Sequence, residues 1–219
     1  ELNNLDLRSS PLYERRKLLE NIFSHWEILN KNHFENRFKI TNLHKIKSWE
    51  EVEDLKNNSR QHNTEGLVIK YKNSTYQEGR KKGHWWKYKV DPMQLDGVLI
   101  YAKSGNGKRA DLYTDYSFAL WNDNKLVKFA SAYTGLNNEE IKELDRWIRQ
   151  NTVERYGPVR SVKPEMVFEI SFENIQISKR HKSGIAVRFP RISKWRKDKK
   201  IFDADTLQSA QNLLKINHE

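Results

Sequence analysis

The 219-residue sequence contains no cysteine, which excludes disulfide bonds and thiolate metal sites and is in keeping with a reducing cytosol. It also lacks long hydrophobic runs. Stretches such as Val98 to Tyr101 are far shorter than the roughly 18 residues that a membrane-spanning helix needs. The opening residues do not form a charged and then apolar leader. We therefore expect no membrane span and no signal peptide, and a cytoplasmic location.

What the sequence does contain is large side chains and positive charge. Seven Trp, nine Tyr and nine Phe within 37% apolar residues are enough to build a core, which argues against disorder. The 40 Lys and Arg against 29 Asp and Glu give a formal net charge of +11. Basic side chains gain affinity for phosphates through counterion release, so this charge favours a polyanionic partner such as nucleic acid.

The first ninety residues have the pattern of a mixed α and β region. Apolar spacing predicts a helix from Pro11 to Phe23, with proline at its first turn. A short strand is predicted at Phe38 to Leu43. Ser48 and Glu51 predict a second helix that begins with a capping box.

The region then continues with two strands joined by a loop. The β-branched run Glu65 to Tyr71 predicts one strand, and the alternating run Trp85 to Val90 predicts the other. The segment between them, Asn73 to His84, is rich in Gly, Lys and Arg and predicts a loop. On the second strand, Lys87 and Lys89 share one face.

After Asp91-Pro92 the pattern changes to short strands separated by turns, which places a domain boundary there. One helix, Asn138 to Gln150, lies between the third and fourth strands, and a last helix covers Asp205 to Leu214. This is the element order of an OB-fold barrel. The predicted strands are Gly97 to Lys103, Leu112 to Trp121, Lys125 to Tyr133, Met166 to Ile177 and Gly184 to Arg191.

The lysine pair is the first candidate site. Two ammonium groups on one rigid strand face repel each other unless an anion lies between them, and a phosphate would suit Lys87 and Lys89. A carboxylate nearby, such as Glu65, would hold Mg²⁺, which prefers oxygen ligands and substrate phosphates. The alternative is an exposed lysine pair that protects an edge strand from aggregation.

The second candidate is the basic segment from Arg180 to Lys200, in which Phe189 and Trp195 are interleaved. Its aromatic residues could stack on bases or belong to the core. The alternative is a solvated strand edge and loop. The phosphate contacts would come from Arg188, Arg191, Arg196 and Lys199.

Three ordered segments resemble a known family. Glu65-Gly66-Leu67-Val68-Ile69-Lys70 resembles motif IV of the covalent nucleotidyltransferases, and Trp86-Lys87-Tyr88-Lys89 resembles their motif V. Arg188-Phe189-Pro190-Arg191 through Trp195-Arg196-Lys197-Asp198-Lys199 is similar to motif VI of ATP-dependent DNA ligases. Tyr76 to Arg80 and Arg180 to Gly184 are similar to the bacterial ligases often associated with Lhr-type helicases. The similarity spans nearly the whole chain.

This resemblance implies an α+β architecture. Residues 1–91 would form the C-terminal part of a nucleotidyltransferase (adenylation) domain, and residues 92–219 an OB-fold domain with a C-terminal helix. The implied enzyme uses ATP and Mg²⁺ to seal nicks in duplex DNA through a lysyl-AMP intermediate. Its implied partners are nicked duplex DNA and a helicase or nuclease of the same repair pathway, and it would act as a monomer.

The resemblance also implies roles for particular residues. Glu65 would assist the metal and the nucleotide, Lys87 and Lys89 would hold the α-phosphate, and Arg80 is a further candidate for the nucleotide site. Three residues of the motif VI segment would orient the pyrophosphate leaving group when the OB domain closes: Arg196, Asp198 and Lys199. Four residues would contact DNA: Arg180, Lys182, Arg188 and Arg191.

The sequence departs from the family pattern in one important respect. The nucleophilic lysine of the family lies in a K-x-D-G motif, and no such string occurs here. Gln94-Leu95-Asp96-Gly97 has glutamine at the reactive position and follows motif V, so it is interpreted as a coincidence. The carboxylate of motif III is also absent, and the opening residues resemble the segment downstream of it.

The expectation is therefore a C-terminal fragment that cannot adenylate itself. Two alternatives stay open. One is a stand-alone OB-fold module that binds nucleic acid, and the other is a nucleotidyltransferase of the RNA ligase or capping type.

Overall fold

The computed structural model describes residues 1–29, 39–62, 64–105, 107 and 110–216, and they form two compact units, Glu1–Val90 and Asp91–Glu219. Within the described residues, no helix has the length and apolarity needed to cross a membrane. The first unit contains helix α1 (Leu12–Leu29), helix α2 (Trp49–Asn57), a short 3-10 turn (Asn58–His62) and the antiparallel strands β1 (Gly66–Lys70) and β2 (Trp85–Lys89).

The two helices of the first unit begin where the sequence predicted them. α1 starts directly after Pro11 and runs beyond the predicted end at Phe23. At the start of α2, the Ser48 hydroxyl accepts a hydrogen bond from the Glu51 N–H at 3.4 Å. The Glu51 carboxylate accepts from the Lys47 N–H at 2.9 Å instead of from Ser48. Only the serine half of the predicted capping box is therefore present.

The prediction of a strand at Phe38 to Leu43 is wrong for residues 39–43. Phe38 lies outside the described residues, and residues 39–47 form neither helix nor strand. All of them are exposed except the half-buried Ile40. A strand is stabilised by a partner and by one buried face, and this segment has no buried face to contribute.

The second unit consists of antiparallel strands and two helices. The strands are β3 (Met93–Ser104), β4 (Tyr113–Asn122), β5 (Lys125–Ala132), β6 (Thr152–Tyr156), β7 (Val159–Val162), β8 (Val167–Phe172), β9 (Asn174–Ile177), β10 (Ile185–Arg188) and β11 (Arg191–Trp195), and the helices are α3 (Asn138–Gln150) and α4 (Leu207–Ile216). Seven of the strands form one curled sheet of order β11-β8-β3-β4-β5, with a hairpin of β6 and β7 paired to the far half of β3. β9 and β10 pair with each other as a separate hairpin.

The sheet closes on itself between its two edge strands. Just beyond β5, the Thr134 carbonyl accepts a hydrogen bond from the Ile192 N–H of β11 at 2.9 Å. The adjacent Gly135 has φ +115°, and a Cβ there would lie 1.8 Å from the Ile192 carbonyl oxygen. Only glycine allows this approach of the two backbones. The closed arrangement is the predicted OB-fold barrel.

The barrel interior is filled by aromatic and aliphatic side chains. Phe118 and Phe168 lie 5.4 Å apart between ring centroids, and Trp195 stacks on Phe168 at 5.2 Å. Helix α3 buries Leu144 and Ile148 completely against this core. Its bounds and apolar face agree with the sequence prediction, because Asn137 and Glu140 form a complete capping box at its start.

The sequence did not predict every strand of the barrel. The β6–β7 hairpin and nearly all of β11 were missed. The predicted strand Met166 to Ile177 is broken at Glu173 into β8 and β9, and the predicted strand Gly184 to Arg191 ends at Arg188, as β10, before Phe189, which has φ +53°. A bulky residue in this left-handed region cannot continue a ladder, so the chain turns between β10 and β11.

Candidate functional site

In the first unit, strand pairing brings Glu65 beside Lys89, and Lys87 lies on the same strand face as Lys89. The register places Lys89 opposite Gly66 and Lys87 opposite Val68, so both lysines lie on the face that carries Gly66 and Val68. The Lys89 Nζ lies 3.2 Å from a Glu65 carboxylate oxygen, with each side chain about one-third exposed. Lys87 is exposed. The arrangement is a surface with two cations and one carboxylate, suited to a phosphate ester and a metal ion.

Gly66 provides the space beside Lys89. It has φ +129°, and a Cβ at this position would lie 2.3 Å from the Tyr88 carbonyl oxygen and 2.7 Å from the Lys89 Cα. No side chain could be accommodated there without moving β2. Glycine at position 66 therefore allows the two strands to approach closely at Lys89.

The opposite face of β2 is anchored to helix α2. The Tyr88 hydroxyl donates a hydrogen bond to Glu53, whose carboxylate also lies 2.7 Å from the Lys56 Nζ. The Lys56 ammonium lies 4.6 Å from the centroid of the Tyr88 ring. The hydrogen bond from Lys56 lowers the pKa of Glu53, and the Glu53 carboxylate raises the pKa of Tyr88. The strand is thus fixed with its lysines turned away from the helix.

Sequence reasoning missed this anchor. Its signal was the Glu53-x-x-Lys56 spacing on α2, typical of an intrahelical ion pair. A tyrosine between two lysines on a strand also indicates a partner on the opposite face. The predicted Arg80 lies exposed in the loop between β1 and β2.

Glu65 was predicted to contact a metal ion. Across residues 1–29, 39–62, 64–105, 107 and 110–216, no group of three or more His, Asp or Glu side chains could hold a metal by itself. Mg²⁺ is commonly bound by one or two carboxylates together with substrate phosphates, so a single carboxylate beside a phosphate site fits this ion.

In the second unit, Arg196 and Lys199 meet at a buried carboxylate. The Arg196 guanidinium binds Asp198 through its Nε at 3.0 Å and its Nη2 at 2.8 Å. Its Nη1 lies 3.0 Å from the Oδ2 of Asp96, and the Lys199 Nζ lies 2.5 Å from that same oxygen. The structure therefore brings together all three predicted residues, Arg196, Asp198 and Lys199, around a fourth.

Sequence reasoning missed this fourth residue, Asp96. It lies on β3 and is 6% exposed. The signal was a lone carboxylate within the otherwise apolar run from Leu95 to Ile100, because a charged residue in a buried strand requires a charged partner. The string Gln94 to Gly97 was considered only as a poor match to K-x-D-G.

The pairing of Arg196 with Asp198 has a measurable electrostatic consequence. The hydrogen bonds from Arg196 hold the pKa of Asp198 well below its usual range, and Asp198 raises the pKa of Arg196. Because the pKa of Asp198 is depressed in the folded chain, this contribution to stability is complete above about pH 4 and is lost as the pH falls further.

Replacing Arg196 should release Asp198. In Arg196→Ala we expect the pKa of Asp198 to rise towards about 3.9, the value of a free aspartate. The measurement is a carbon-13 NMR titration of the side-chain carboxyl. Arg149→Ala, which removes the partner of a different aspartate, Asp145, serves as the control and should leave Asp198 unchanged. A titration of Asp198 that is the same in Arg196→Ala and the parent chain would contradict the pairing.

The four predicted DNA contacts fall into two groups. Arg180 and Lys182 lie in the turn between β9 and β10, where they line a groove of about 750 Å³ with Lys128 of β5. Arg188 is exposed at the end of β10, and Arg191 pairs with Glu173 at 3.0 Å. Arg180 and Lys182 therefore share one groove, whereas Arg191 is held by a carboxylate at the start of β11.

The two aromatic residues of the basic segment have different environments. Trp195 packs on Phe168 in the core, whereas Phe189 is 62% exposed, with the Arg188 guanidinium 4.9 Å from its ring centroid. A bulky exposed residue at φ +53° carries a backbone cost that the surrounding structure has to offset. Phe189 is thus the aromatic of this segment that can stack on a ligand.

Comparison with known proteins finds a family match in each of the two units. The family model described as "ATP dependent DNA ligase domain" matches residues 1–89, and the model described as "ATP dependent DNA ligase C terminal region" matches residues 109–199. The solved structure named Pmar-Lig_PreS3 resembles this fold with a TM-score of 0.64 at 16% identity, covering 86% of this chain and 40% of its own.

Two curated relatives agree with these matches. A probable DNA ligase of Koribacter versatilis is 40% identical over 164 residues, which cover 75% of this chain and 28% of that protein. A DNA ligase of Archaeoglobus fulgidus is 32% identical over 211 residues, covering 95% of this chain and 36% of that protein. The chain thus spans about a third of the length of these relatives. From its two successive ligase regions and these relatives, the chain belongs to the ATP-dependent DNA ligase family and carries the middle and C-terminal ligase domains.

Proposed function

We propose that the protein is the part of an ATP-dependent DNA ligase that binds the phosphates of ATP and the backbone of a nicked duplex. The observation that carries this proposal is the β1–β2 face, on which Lys87, Lys89 and Glu65 lie together within a ligase-family chain. Two ammonium groups beside a carboxylate are the charges that an adenylate and its metal ion require.

The proposed reaction has three substitutions at phosphorus. A lysine amine attacks the α-phosphate of ATP, and pyrophosphate leaves. An oxygen of the 5′-phosphate of the nick then attacks the phosphorus of the lysyl-AMP, the N–P bond breaks and the lysine amine leaves. The 3′-hydroxyl finally loses its proton, attacks the 5′-phosphate and displaces AMP, which seals the strand. Lys87 and Lys89 stabilise charge on the α-phosphate. Glu65 would help to hold Mg²⁺, which would supply further neutralisation of phosphate charge.

The second unit contributes the remaining charges. We assign Arg196 and Lys199 to the pyrophosphate leaving group, with Asp198 orienting Arg196 through its two hydrogen bonds. We assign Arg80, whose loop follows β1, to the nucleotide. Four basic residues are assigned to the DNA backbone, with Phe189 available to stack beside them: Arg180, Lys182, Arg188 and Arg191.

The cellular setting follows from the same family. We propose a cytoplasmic, monomeric enzyme of the bacterial type associated with Lhr-type helicases, working with a helicase or nuclease on nicked DNA. We also propose that the boundary between the adenylation and OB-fold domains lies at Asp91-Pro92.

The test uses a ligase polypeptide that carries both this sequence and a K-x-D-G segment, below called the complete ligase. We expect it to seal a 5′-phosphorylated nick in duplex DNA in the presence of ATP and Mg²⁺. Without ATP, or with a nick that lacks the 5′-phosphate, no product should form, because no adenylate can be made or transferred. Sealing confined to RNA strands would contradict the proposal and favour an enzyme of the RNA ligase or capping type.

A further inference from the structure

Asp96 is a buried carboxylate at the point where the two cations assigned to pyrophosphate meet. A single oxygen, Oδ2, accepts from the Arg196 Nη1 at 3.0 Å and from the Lys199 Nζ at 2.5 Å. We infer that Asp96 is a positioning residue for adenylate formation: it holds Arg196 and Lys199 side by side for the leaving pyrophosphate. This inference rests on the proposed function.

The backbone of Asp96 gives the carboxylate a fixed location. The Asp96 N–H donates to the Asp205 carboxylate at 2.7 Å, and the Asp205 N–H donates to the Asp96 carbonyl at 2.8 Å. On the other side, Asp96 is paired with Glu169 of β8 in the sheet ladder. Strand β3 is central in the sheet and is bonded on both edges, so Asp96 is a rigid reference point.

The two cations depend on such a reference point. Arg196 and Lys199 have long side chains with many rotamers, and their like charges repel each other. A carboxylate oxygen shared between them offsets the repulsion and fixes both groups. The Arg196 guanidinium also binds Asp198, on the turn that follows β11, and lies 3.8 Å from a Glu169 carboxylate oxygen. Asp96 is the most buried of these three carboxylates and the one that also binds Lys199.

Donors remain for a phosphate ligand. The bonds to Asp96 and Asp198 engage three of the five N–H groups of the Arg196 guanidinium, and the bond to Asp96 engages one of the three on Lys199. Asp96 is 6% exposed, whereas the Lys199 side chain is 30% exposed. Asp96 therefore acts through Arg196 and Lys199, which can reach an anion that Asp96 does not touch.

The test replaces Asp96 with asparagine in the complete ligase. Asn keeps the shape and one acceptor oxygen but removes the charge that holds both cations. We expect the rate of lysyl-AMP formation at saturating ATP to fall about 10- to 100-fold, with the KM for ATP changed by less than about 3-fold. Sealing of a pre-adenylated nick should stay within about 2-fold, because that step releases AMP and no pyrophosphate.

The matched control is Asp145→Asn, which removes another buried carboxylate of the same barrel, bound by Arg149 at 2.7 Å and by the Tyr113 N–H at 3.0 Å. It should not slow lysyl-AMP formation selectively. A double-mutant cycle adds a second variant: combined with Lys199→Gln, Asp96→Asn should cost less than it does alone, because its effect passes through Lys199.

Each outcome decides the role. An equal loss in lysyl-AMP formation and in sealing of the pre-adenylated nick would mean that Asp96 only stabilises the fold, which overturns the inference. An Asp96→Asn enzyme with unchanged lysyl-AMP formation overturns it as well, and leaves the proposed function standing. A parent complete ligase that forms no lysyl-AMP would refute the proposed function and, with it, this role of Asp96.

Discussion

Incubated with labelled ATP and Mg²⁺, the 219-residue chain is expected to form no covalent AMP adduct. Adenylate formation requires a lysine amine with a free lone pair at the α-phosphate, and in this family that lysine belongs to K-x-D-G, a string that the sequence lacks. The lysines that the structure places at the proposed phosphate face are suited to a different task. The Lys89 Nζ lies 3.2 Å from a Glu65 carboxylate oxygen, so Lys89 serves as the cation of an ion pair and not as a nucleophile.

The measurement is label that stays with the protein after denaturation and electrophoresis. The complete ligase is the positive control and should become labelled under the same conditions. A labelled band from the 219-residue chain would contradict the prediction, because it would identify a nucleophile outside K-x-D-G. Peptide mapping of that band would then name the residue, and the assignment of Lys87 and Lys89 to charge stabilisation would have to be abandoned if either carried the label.

The local signals in the sequence were sufficient where a segment specifies its own structure. Helix α3 was predicted with its observed bounds from its apolar spacing alone, and the capping box of Asn137 and Glu140, a local signal that the prediction did not use, marks the same start. The alternation of Trp85 to Val90 likewise placed Lys87 and Lys89 on one face of β2, as the register confirms. These features depend on residues that are neighbours in the sequence.

The sequence was insufficient where a distant partner decides the outcome. Residues 39–43 contain two β-branched side chains, Ile40 and Thr41, but bury no face, so no strand forms there. The β6–β7 hairpin depends on pairing with β3. Strand β3 pairs with β8 from Met93 to Val98 and with β7 from Tyr101 to Lys103. Phe189 breaks a predicted strand because the chain turns there to reach β8.

The two candidate sites also differ in whether local signals or distant partners determine them. Glu65 directly precedes β1, and Lys87 and Lys89 lie on β2, which follows β1 after one loop; the sequence predicted one site from these residues, and the structure pairs Lys89 with Glu65. Asp96 lies about a hundred residues from Arg196, at a separation that no local pattern reveals. A charge within the apolar part of β3 still indicated that some partner had to exist, so the missing information was the identity of that partner.

Charge reversal of Lys87 in the complete ligase should reduce the rate of lysyl-AMP formation by about 100-fold or more, the usual cost of losing one group that stabilises developing charge. Lys87→Glu replaces an attraction to the α-phosphate with a repulsion on the same strand face. Lys87 is exposed and lies opposite Val68, so the fold of the β1–β2 pair should be preserved. Single-turnover adenylation and thermal unfolding measure the two effects separately.

The same variant separates the phosphate role of Lys87 from its alternative, protection of an edge strand. A charge of either sign keeps an edge strand from pairing with another chain, so glutamate at position 87 would serve that role as well as lysine does. Only a positive charge can serve the phosphate. Lys142→Glu, on an exposed position of α3, makes the same change in net charge and should leave adenylation unaffected. If Lys87→Glu forms lysyl-AMP and seals nicks as fast as Lys142→Glu does, Lys87 has no role at the phosphate and is an edge-protecting residue.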